Sequence, residues 1–329
     1  MRKRTVALMG FLCFLFLLPL FIKSFYYFHT LNVTLIYIIA ASSLRTISVS
    51  GQLSIAHAAF MGLGAYISGI VAKETGWTPW LTIPLGATSG MVAGILIGYP
   101  LARVRAIYFS MVSLFCGMAI VALIGVFQNV TGGDAGLIGI PPLPPISVHG
   151  APEVVFVTSK VNYYYFLLTL TIASLAVLYR IEKSRTGMCW RAIAQSHLVA
   201  SSVGINEGRF RVLALGVGCF FAGLSGACYA HYNMTLTSTT FGFLPSINLL
   251  IYVLVGGIGS FAGPLLGTAV LIIVPEFFRW LKEFSPFVFG GIMLFVAFLM
   301  PKGIAGLFEQ IESRLERSAS RLGASRNAS

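Results

Sequence analysis

Charged residues are scarce in this 329-residue chain. Asp, Glu, Lys and Arg make up 10% of the residues, whereas 57% are hydrophobic and the mean hydropathy is +0.87. A single water-soluble core does not accommodate so many apolar side chains, so the composition excludes an ordinary soluble domain. We therefore expect the chain to lie in a lipid bilayer.

Several catalytic signatures are also missing. The sequence contains no HExxH, no GxSxG, no histidine pair at i, i+4 and no Cys, His and carboxylate cluster with metal-ligand spacing. It also lacks the GxxxxGK[ST] loop with which P-loop proteins hold ATP. We expect no enzymatic site and no cofactor in this chain, so energy for any transport must come from a partner or an ion gradient.

Neither the cysteines nor the net charge indicates a further function. The five cysteines are an odd number without CxxC spacing, and four of them fall within apolar runs, which favours packing roles. The formal charge of +12 resides in short loops and tails rather than on one basic face. We therefore expect no nucleic-acid partner.

Long uncharged runs fill most of the chain, and each is long enough for a membrane-spanning helix of roughly 20 residues. They are continuously apolar and do not alternate, which favours helices over a β-barrel. The first run follows Arg2–Arg4, and we interpret it as an uncleaved span because bulky residues stand where a signal peptidase needs small ones. The predicted fold is an all-α polytopic bundle of about ten spans (eight to ten), at about 6–22, 25–43, 53–72, 79–101, 107–130, 161–179, 211–231, 245–258, 264–280 and 286–300.

Ten spans place both termini on the same side of the membrane. Most of the basic residues then share that side: Arg2–Arg4, Arg45, Arg103, Arg105, the segment 180–211 and the tail arginines. The opposite side keeps only four lysines, Lys23, Lys73, Lys160 and Lys282. The positive-inside rule therefore predicts cytoplasmic N- and C-termini.

Two loops and the tail are long enough to have roles of their own. The outer loop, 131–160, is rich in Gly and Pro and carries Asp134 and Glu153; an irregular cap and a plain connector both remain open. In the inner loop, 181–210, apolar residues recur at helical spacing before a stop at Gly204, which predicts a short amphipathic helix on the cytoplasmic face. We predict a transmembrane domain over 1–303, then an amphipathic helix and a disordered tail over 304–329.

Two polar or glycine-rich interruptions are candidates for a transport pathway or gate. Gln52, Ser54 and His57 stand at the start of a predicted span, where a helix beginning at Ser54 presents free backbone N–H groups. Hydrogen bonding to neighbouring helices is the alternative, and both remain open. Gly256 and Gly257 begin a second break, which ends at Pro264 in a first helical turn. The two breaks are candidate hinges.

A small-residue stripe, Gly218, Ala222, Gly226 and Ala230, predicts close helix packing. Within it, Ser225 resembles the serine of rhomboid intramembrane proteases. His231 on the same helix points to a different face, although His57 on another helix could still meet Ser225. A protease is therefore disfavoured. An ion-coupled carrier is the stronger alternative, but the acids nearest a span, Glu276 and Glu283, lie close to its outer end.

The order of motifs resembles one family, the permease subunits of branched-chain amino acid ABC importers, and within it the second permease subunit type. The resemblance extends over roughly Leu31 to Leu307. It is carried by SGQLSIAHAAFMGLGAY, TGGDAGLIGIP, SRTGMCWRAIAQSHLVASSVGI, FAGLSGACYAHY, FGFLPSINLLIYVLVGGIGSFAGPLLGT, VPEFFR and PKGIAGL.

This resemblance implies a transporter of the bacterial inner membrane that works by alternating access. The implied partners are a second homologous permease, two ATPase subunits that bind the ATP, an extracytoplasmic solute-binding protein and membrane lipid. It also implies that a cytoplasmic coupling segment docks on an ATPase, with these candidate residues: Arg185, Gly187, Arg191, Gln195, His197, Gly204 and Ile205.

Two positions depart from the family pattern. Family members usually carry acidic residues in the coupling segment, where this chain has Gln195, His197 and Ser201, and complementary charge influences partner choice. Asn248 stands where related chains often place a carboxylate, and it joins the candidate pathway residues. Leucine, isoleucine and valine are the default solutes, with urea and short amides left open.

Overall fold

The computed structural model describes residues 15–19, 25–102, 104, 106–145, 156, 160–277, 285–300 and 303–306. Helices dominate this part of the chain, joined by short turns and a two-stranded ribbon. They are α1 (Phe25–Val49), α2 (His57–Thr75), α3 (Pro79–Leu101), α4 (Ala106–Val126), α5 (Gln128–Thr131), α6 (Lys160–Lys183), α7 (Arg185–Gln195), α8 (His197–Ser202), α9 (Glu207–Asn233), α10 (Phe243–Gly256), α11 (Gly263–Phe277) and α12 (Ser285–Leu299). The strands are β1 (Leu137–Ile138) and β2 (Thr235–Leu236), and 3-10 turns cover Gly133–Ala135 and Ser238–Phe241.

The chain is a multi-pass helical membrane protein, as its composition predicts. Six helices within the described residues are long and apolar enough to cross a bilayer: α1, α3, α4, α6, α9, and α10 with its preceding turn. Helix α2 has 19 residues but carries Lys73 and Glu74 near its end, while α11 and α12 have 15 residues each. The predicted first span lies outside the described residues apart from 15–19, which are helical. The count of about ten spans stays a prediction.

Helix α9 is the centre of the bundle, packed against α1, α2 and α3. Glycines let their backbones touch: a Cβ added at Gly90 would lie 2.5 Å from the Cys219 carbonyl oxygen, and one at Gly226 would collide with the Met61 carbonyl. The predicted small-residue stripe is thus confirmed as a packing surface. Side chains are excluded where these helices cross, so the core has little freedom to rearrange.

The ribbon closes one end of the bundle. Strands β1 and β2 are antiparallel, with Leu137 opposite Leu236. Beside them, buried His231 contacts Ser68 Oγ at 2.9 Å and Thr82 Oγ1 at 3.1 Å through Nε2, and the Pro141 carbonyl at 2.7 Å through Nδ1. One imidazole therefore joins α2, α3 and α9 to the chain after β1. The described part of the outer loop thus packs on the bundle at Pro141, and the choice between a cap and a plain connector stays a prediction.

Helices α7 and α8 lie at the opposite end, which we call the α7 end. Two sequence expectations are corrected there. Arg45 was expected in a loop between spans, but α1 continues to Val49 and buries Arg45 at 3% exposure, because Glu182 of α6 neutralises it. The inner loop is also shorter than 181–210, since α6 extends to Lys183 and α9 begins at Glu207.

Two helix breaks lie close to the ends of the predicted spans 211–231 and 245–258. Helix α9 ends at Asn233 and α10 begins at Phe243, while α10 ends at Gly256 and α11 begins at Gly263 with Pro264 in its first turn. The helix expected from Ser54 instead begins at His57; residues 52–54 have no regular secondary structure, and the Leu53 carbonyl accepts a hydrogen bond from Ser110 of α4. The tail over 307–329, with its predicted amphipathic helix, lies outside the described residues.

Candidate functional site

The inner-loop segment predicted as one amphipathic helix is two helices. Ser196 separates α7 from α8, and its Oγ accepts from the Val199 N–H at 3.4 Å, which caps the start of α8. Gly204 ends this segment at φ +84°, a left-handed conformation that favours glycine. The break turns α8 away from α7 and divides the amphipathic surface into two short parts.

One face of this segment is buried and the other is exposed and apolar. The buried residues include Gly187, Trp190, Ile193 and Ala200. The exposed face carries four large apolar side chains, which are 56 to 71% exposed: Met188, Leu198, Val199 and Val203. Exposed apolar side chains gathered on one short segment indicate a contact surface.

Helix α7 is attached to the bundle on two sides. Trp190 is fully buried, and its Nε1 donates to the Phe210 carbonyl at 2.8 Å, next to the start of α9. Arg191 reaches the end of α6, where its Nη2 donates to the Glu182 carbonyl at 2.9 Å. A movement of α7 would therefore pull on both α6 and α9.

The predicted coupling residues divide between these two faces. Arg185, Gln195 and Gly204 are exposed, and Arg191, His197 and Ile205 are partly exposed. Gly187 is buried and packs so closely on the Glu182 backbone that a Cβ there would collide with it. Gly187 and Arg191 thus seat α7 on the bundle, whereas the exposed residues are the ones available for a partner.

The chain leading into α2 is held by serines from two other helices. Ser110 Oγ of α4 donates to the Leu53 carbonyl at 2.7 Å, and the Ile55 N–H donates to Ser113 Oγ at 3.1 Å. The Ala58 N–H at the start of α2 donates to Ser246 Oγ of α10 at 3.3 Å. Helices α2, α4 and α10 therefore meet at this segment.

The three predicted pathway residues of this segment are buried. Gln52 is 1% exposed, and Ser54 and His57 are completely buried. His57 Nε2 lies 2.8 Å from Ser43 Oγ of α1. For this ring nitrogen, the contact is the hydrogen bond to a neighbouring helix that the alternative interpretation predicts. In the described part of the chain, Gln52 Oε1, Ser54 Oγ and His57 Nδ1 have no hydrogen-bond partner. Burying unpartnered polar atoms is costly, so their concentration here marks a candidate site.

A groove of about 260 Å³ adjoins this segment. Its walls are mostly apolar and come from the start of α2, the middle of α4 and the start of α10, including Ile55, Ala59, Phe241 and Ser246. Gln52, Ser54, His57 and Asn248 are not among its lining residues, and Asn248 is half-buried on α10. The structure brings the first three together but does not join Asn248 to them.

The second break is a tight junction of glycines. Gly257 adopts φ +102°, and a Cβ on Gly256 would collide with the Gly263 carbonyl at the start of α11. A Cβ on Gly303 would also lie 2.5 Å from Gly257. The predicted hinge at Gly256 and Gly257 therefore has the geometry of a close turn.

Sequence reasoning missed two residues at the α7 end. Arg45 Nη1 lies 2.5 Å from Glu182 Oε2, and Nη2 lies 3.1 Å from Oε1, a bidentate pair between α1 and α6. A signal was present, because Arg45 is the one charged residue between Ser24 and Ala72. A single sequence does not reveal that its partner lies 137 residues later.

The described residues do not form the Ser and His dyad of a protease. Ser225 Oγ donates to the Ala222 carbonyl in its own helix at 2.8 Å. His57 contacts Ser43, and His231 contacts Ser68, Thr82 and Pro141. The geometry agrees with the packing interpretation of the stripe.

Comparison with known proteins supplies the assignment. Residues 26–297 match a family described as the permease component of branched-chain amino acid transport systems. This range begins in α1 and ends in α12, and it contains every candidate site residue. The chain belongs to this permease family.

Relatives of this permease occur in bacteria and archaea. It is 27% identical over 290 residues to the high-affinity branched-chain amino acid transport system permease protein LivM of Salmonella typhimurium, covering 83% of this chain and 68% of the relative. It is 23% identical to the LivH permease protein of Escherichia coli over 82% of this chain and 90% of the relative. The BraD permease protein of Pseudomonas aeruginosa is 24% identical over 82% of this chain and 91% of the relative. No solved structure matches the permease.

Proposed function

We propose that the permease is the membrane-spanning subunit of an ATP-driven importer that translocates branched-chain amino acids by alternating access. The family match supports the transport role, and the names of the LivM, LivH and BraD relatives support the substrate class. Conformational change rather than covalent chemistry would move the solute.

One structural observation carries the mechanism: the amphipathic α7–α8 segment lies against the first candidate hinge and is linked to the second through Glu182 and Arg45. At the first hinge, a Cβ on Gly51 would lie 3.2 Å from Cα of Ala194 in α7. At the second, α7 is connected through Glu182 and Arg45 to the Ile258 carbonyl beyond Gly257. A displacement of this segment would therefore reach the start of α2 and the α10–α11 break together.

The distribution of basic residues supports a cytoplasmic α7 end. Arg180, Lys183, Arg185, Arg191 and Arg209 gather there, as the positive-inside rule requires. With ten spans, both termini are cytoplasmic, and the protein resides in the bacterial inner membrane. The outer end, with the ribbon and the 131–160 loop, then faces the side from which solute arrives.

The proposed assembly contains a second homologous permease, two ATPase subunits, a solute-binding protein and surrounding lipid. The α7–α8 segment serves as the coupling helix, and its exposed apolar face docks on an ATPase. ATP is bound by that partner, so the permease itself needs no cofactor and has no ATPase site. Closure of the ATPase pair would push α7 and change which side of the bundle is open.

The proposed solute path passes the start of α2. Gln52, Ser54 and His57 supply polar atoms there, and the apolar groove of about 260 Å³ beside Ile55 and Ala59 suits an aliphatic side chain. Movement of α10 would change this groove directly, because Ser246 both lines it and bonds to the start of α2. Asn248 on the same helix is included as a pathway residue.

The deciding experiment is to co-express the permease with the neighbouring permease, ATPase and binding-protein candidates and to reconstitute the complex in vesicles. We expect ATP-dependent uptake of leucine, isoleucine or valine that requires the binding protein and is inhibited by vanadate. Urea and short amides are assayed in parallel. Uptake by the permease alone, driven by an imposed ion gradient, would replace this proposal with an ion-coupled carrier.

A further inference from the structure

Buried charge is rare in the described part of the permease, and one buried pair joins separate helices. Arg45 and Glu182 are 3% and 9% exposed and connect α1 with α6. The other buried charge, Arg211, pairs with Glu207 one turn away in the same helix, at 2.8 Å. Buried ion pairs contribute little to stability compared with packed apolar residues, so the inter-helix pair invites a second explanation.

Arg45 fastens three segments with one guanidinium. Its two Nη atoms bind the Glu182 carboxylate, while Nε donates to the Ile258 carbonyl at 2.9 Å. The guanidinium also lies over the Phe261 ring, 5.6 Å from its centroid. All three guanidinium nitrogens are therefore occupied, and the loop between α10 and α11 is attached to α1 and α6.

Glu182 has a second partner on the other side. Arg191 of α7 approaches Glu182 Oε1 with Nη1 at 3.3 Å and also donates to its backbone carbonyl. Buried Gly187 of α7 packs on the Glu182 backbone, where a Cβ would not fit. The Glu182 carboxylate thus stands between α7 and Arg45.

The α10–α11 break, which receives the Arg45 bond, is a turn of glycines packed closely together. The α10–α11 break begins with Gly256 and Gly257, which have no side chains to anchor it. The bond from Arg45 to Ile258 reaches the backbone directly after this turn. A shift of the guanidinium would consequently move the turn rather than be absorbed by a flexible side chain.

We propose that Glu182 is a positioning residue which, through Arg45, transmits displacement of α7 to the α10–α11 break. The inference rests on the proposed function, because the ATPase partner would displace α7. The chain of contacts is α7, Arg191, Glu182, Arg45 and the Ile258 carbonyl. Charge-assisted hydrogen bonds are directional and strong enough to carry such a movement.

Three variants distinguish a relay from a pair that has only a structural role. Arg45→Lys keeps the charge beside Glu182, but the compact ammonium lacks the fork that also reaches Ile258. Glu182→Gln keeps the shape and removes the charge. The apolar double variant Arg45→Met with Glu182→Leu removes the link while filling the space, which often preserves or raises stability.

The experiment measures uptake and ATP hydrolysis in the same vesicles containing the complete complex. We expect Arg45→Lys and the apolar double variant to assemble with a Tm close to that of the wild type, and Glu182→Gln, which leaves the buried Arg45 without a carboxylate, to assemble with a lower Tm. The solute taken up per ATP hydrolysed should fall about tenfold, the size expected when a buried charged hydrogen bond is lost. Stimulation of ATP hydrolysis by the liganded binding protein should weaken in parallel.

Glu207→Gln is the matched control, because it neutralises a carboxylate that pairs with Arg211 of the same helix. Its ratio of uptake to hydrolysis should stay within about twofold of the wild type, since the Arg45 link to the α10–α11 break stays intact. An equal fall in this control would assign the effect to lost charge in general and overturn the relay.

Two further results would also overturn the relay. One is an unchanged ratio of solute taken up to ATP hydrolysed in Arg45→Lys or in the apolar double variant. The pair would then have only a structural role. The other is failure of all three variants to assemble, which would assign the pair to folding. If instead the wild-type complex shows no ATP-dependent uptake, the proposed function fails before the relay is tested.

Discussion

The centre of the bundle and its α7 end hold their helices together by opposite means. At the centre, Gly86, Gly90 and Gly226 bring backbone against backbone, with no side chain between the helices. At the α7 end, the long side chains of Arg45 and Arg191 bridge helices through one carboxylate. Backbone contacts fix one helix against another, whereas the charged side chains link successive segments through a chain of hydrogen bonds. The centre is thus suited to move as a unit, and the α7 end to transmit movement.

The largest expected effect comes from adding one methyl group to the centre. Gly226→Ala should lower the free energy of unfolding by about 3 kcal/mol, since its Cβ would collide with the Met61 carbonyl and neither backbone can retreat. Gly125→Ala on α4 is the control, because nothing lies within 4 Å of the added atom. Thermal unfolding in detergent compares them, and equal Tm values would refute the distinction.

A smaller loss is expected where the centre meets the ribbon. His231→Phe leaves buried Ser68 and Thr82 without the imidazole, which should lower the free energy of unfolding by about 2 kcal/mol. Ser68→Ala removes one of these contacts and should have a smaller effect. Thermal unfolding of both variants measures the difference. An unchanged Tm in His231→Phe would show that the cluster does not stabilise the ribbon end of the bundle.

The smallest effect concerns binding rather than folding. Leu198 on α8 and Leu244 on α10 are both 69% exposed, but only Leu198 belongs to the proposed docking face. Leu198→Ser should weaken ATPase binding about tenfold, or about 1.4 kcal/mol, with little change in Tm. Titration of the purified ATPase onto vesicle-bound complex measures this. The Leu244→Ser complex should bind the ATPase with the wild-type affinity. A similar loss of affinity in both variants would show that α8 is not the docking surface.

Local sequence signals predicted much of this fold. Glycine, proline and polar residues located the breaks after Asn233 and Gly256, because they interrupt apolar runs that otherwise continue. The stripe containing Gly226 was readable because its period matches one face of a helix. These features depend only on residues that are close together along the chain, so a single sequence is enough to predict them.

Long-range contacts escaped prediction for a physical reason. Arg45 looked like a loop residue because an isolated charge in lipid is costly, and only the distant Glu182 makes its burial tolerable. The ribbon of β1 and β2 has two residues per strand, too few for an alternating pattern. Gln52, Ser54 and His57 were found because polar residues stood out in an apolar run, but their role as a pathway stays a prediction.

The buried indole of Trp190 gives this permease an optical readout of its own. The Trp190 side chain is buried between α7 and the bundle, and its Nε1 donates to the Phe210 carbonyl. Its fluorescence emission should therefore differ from that of Trp77, which is 53% exposed. Any event that lifts α7 from its seat admits water to the ring and shifts its emission to longer wavelength. The proposed displacement of α7 could thus be followed by stopped-flow fluorescence without attaching a label.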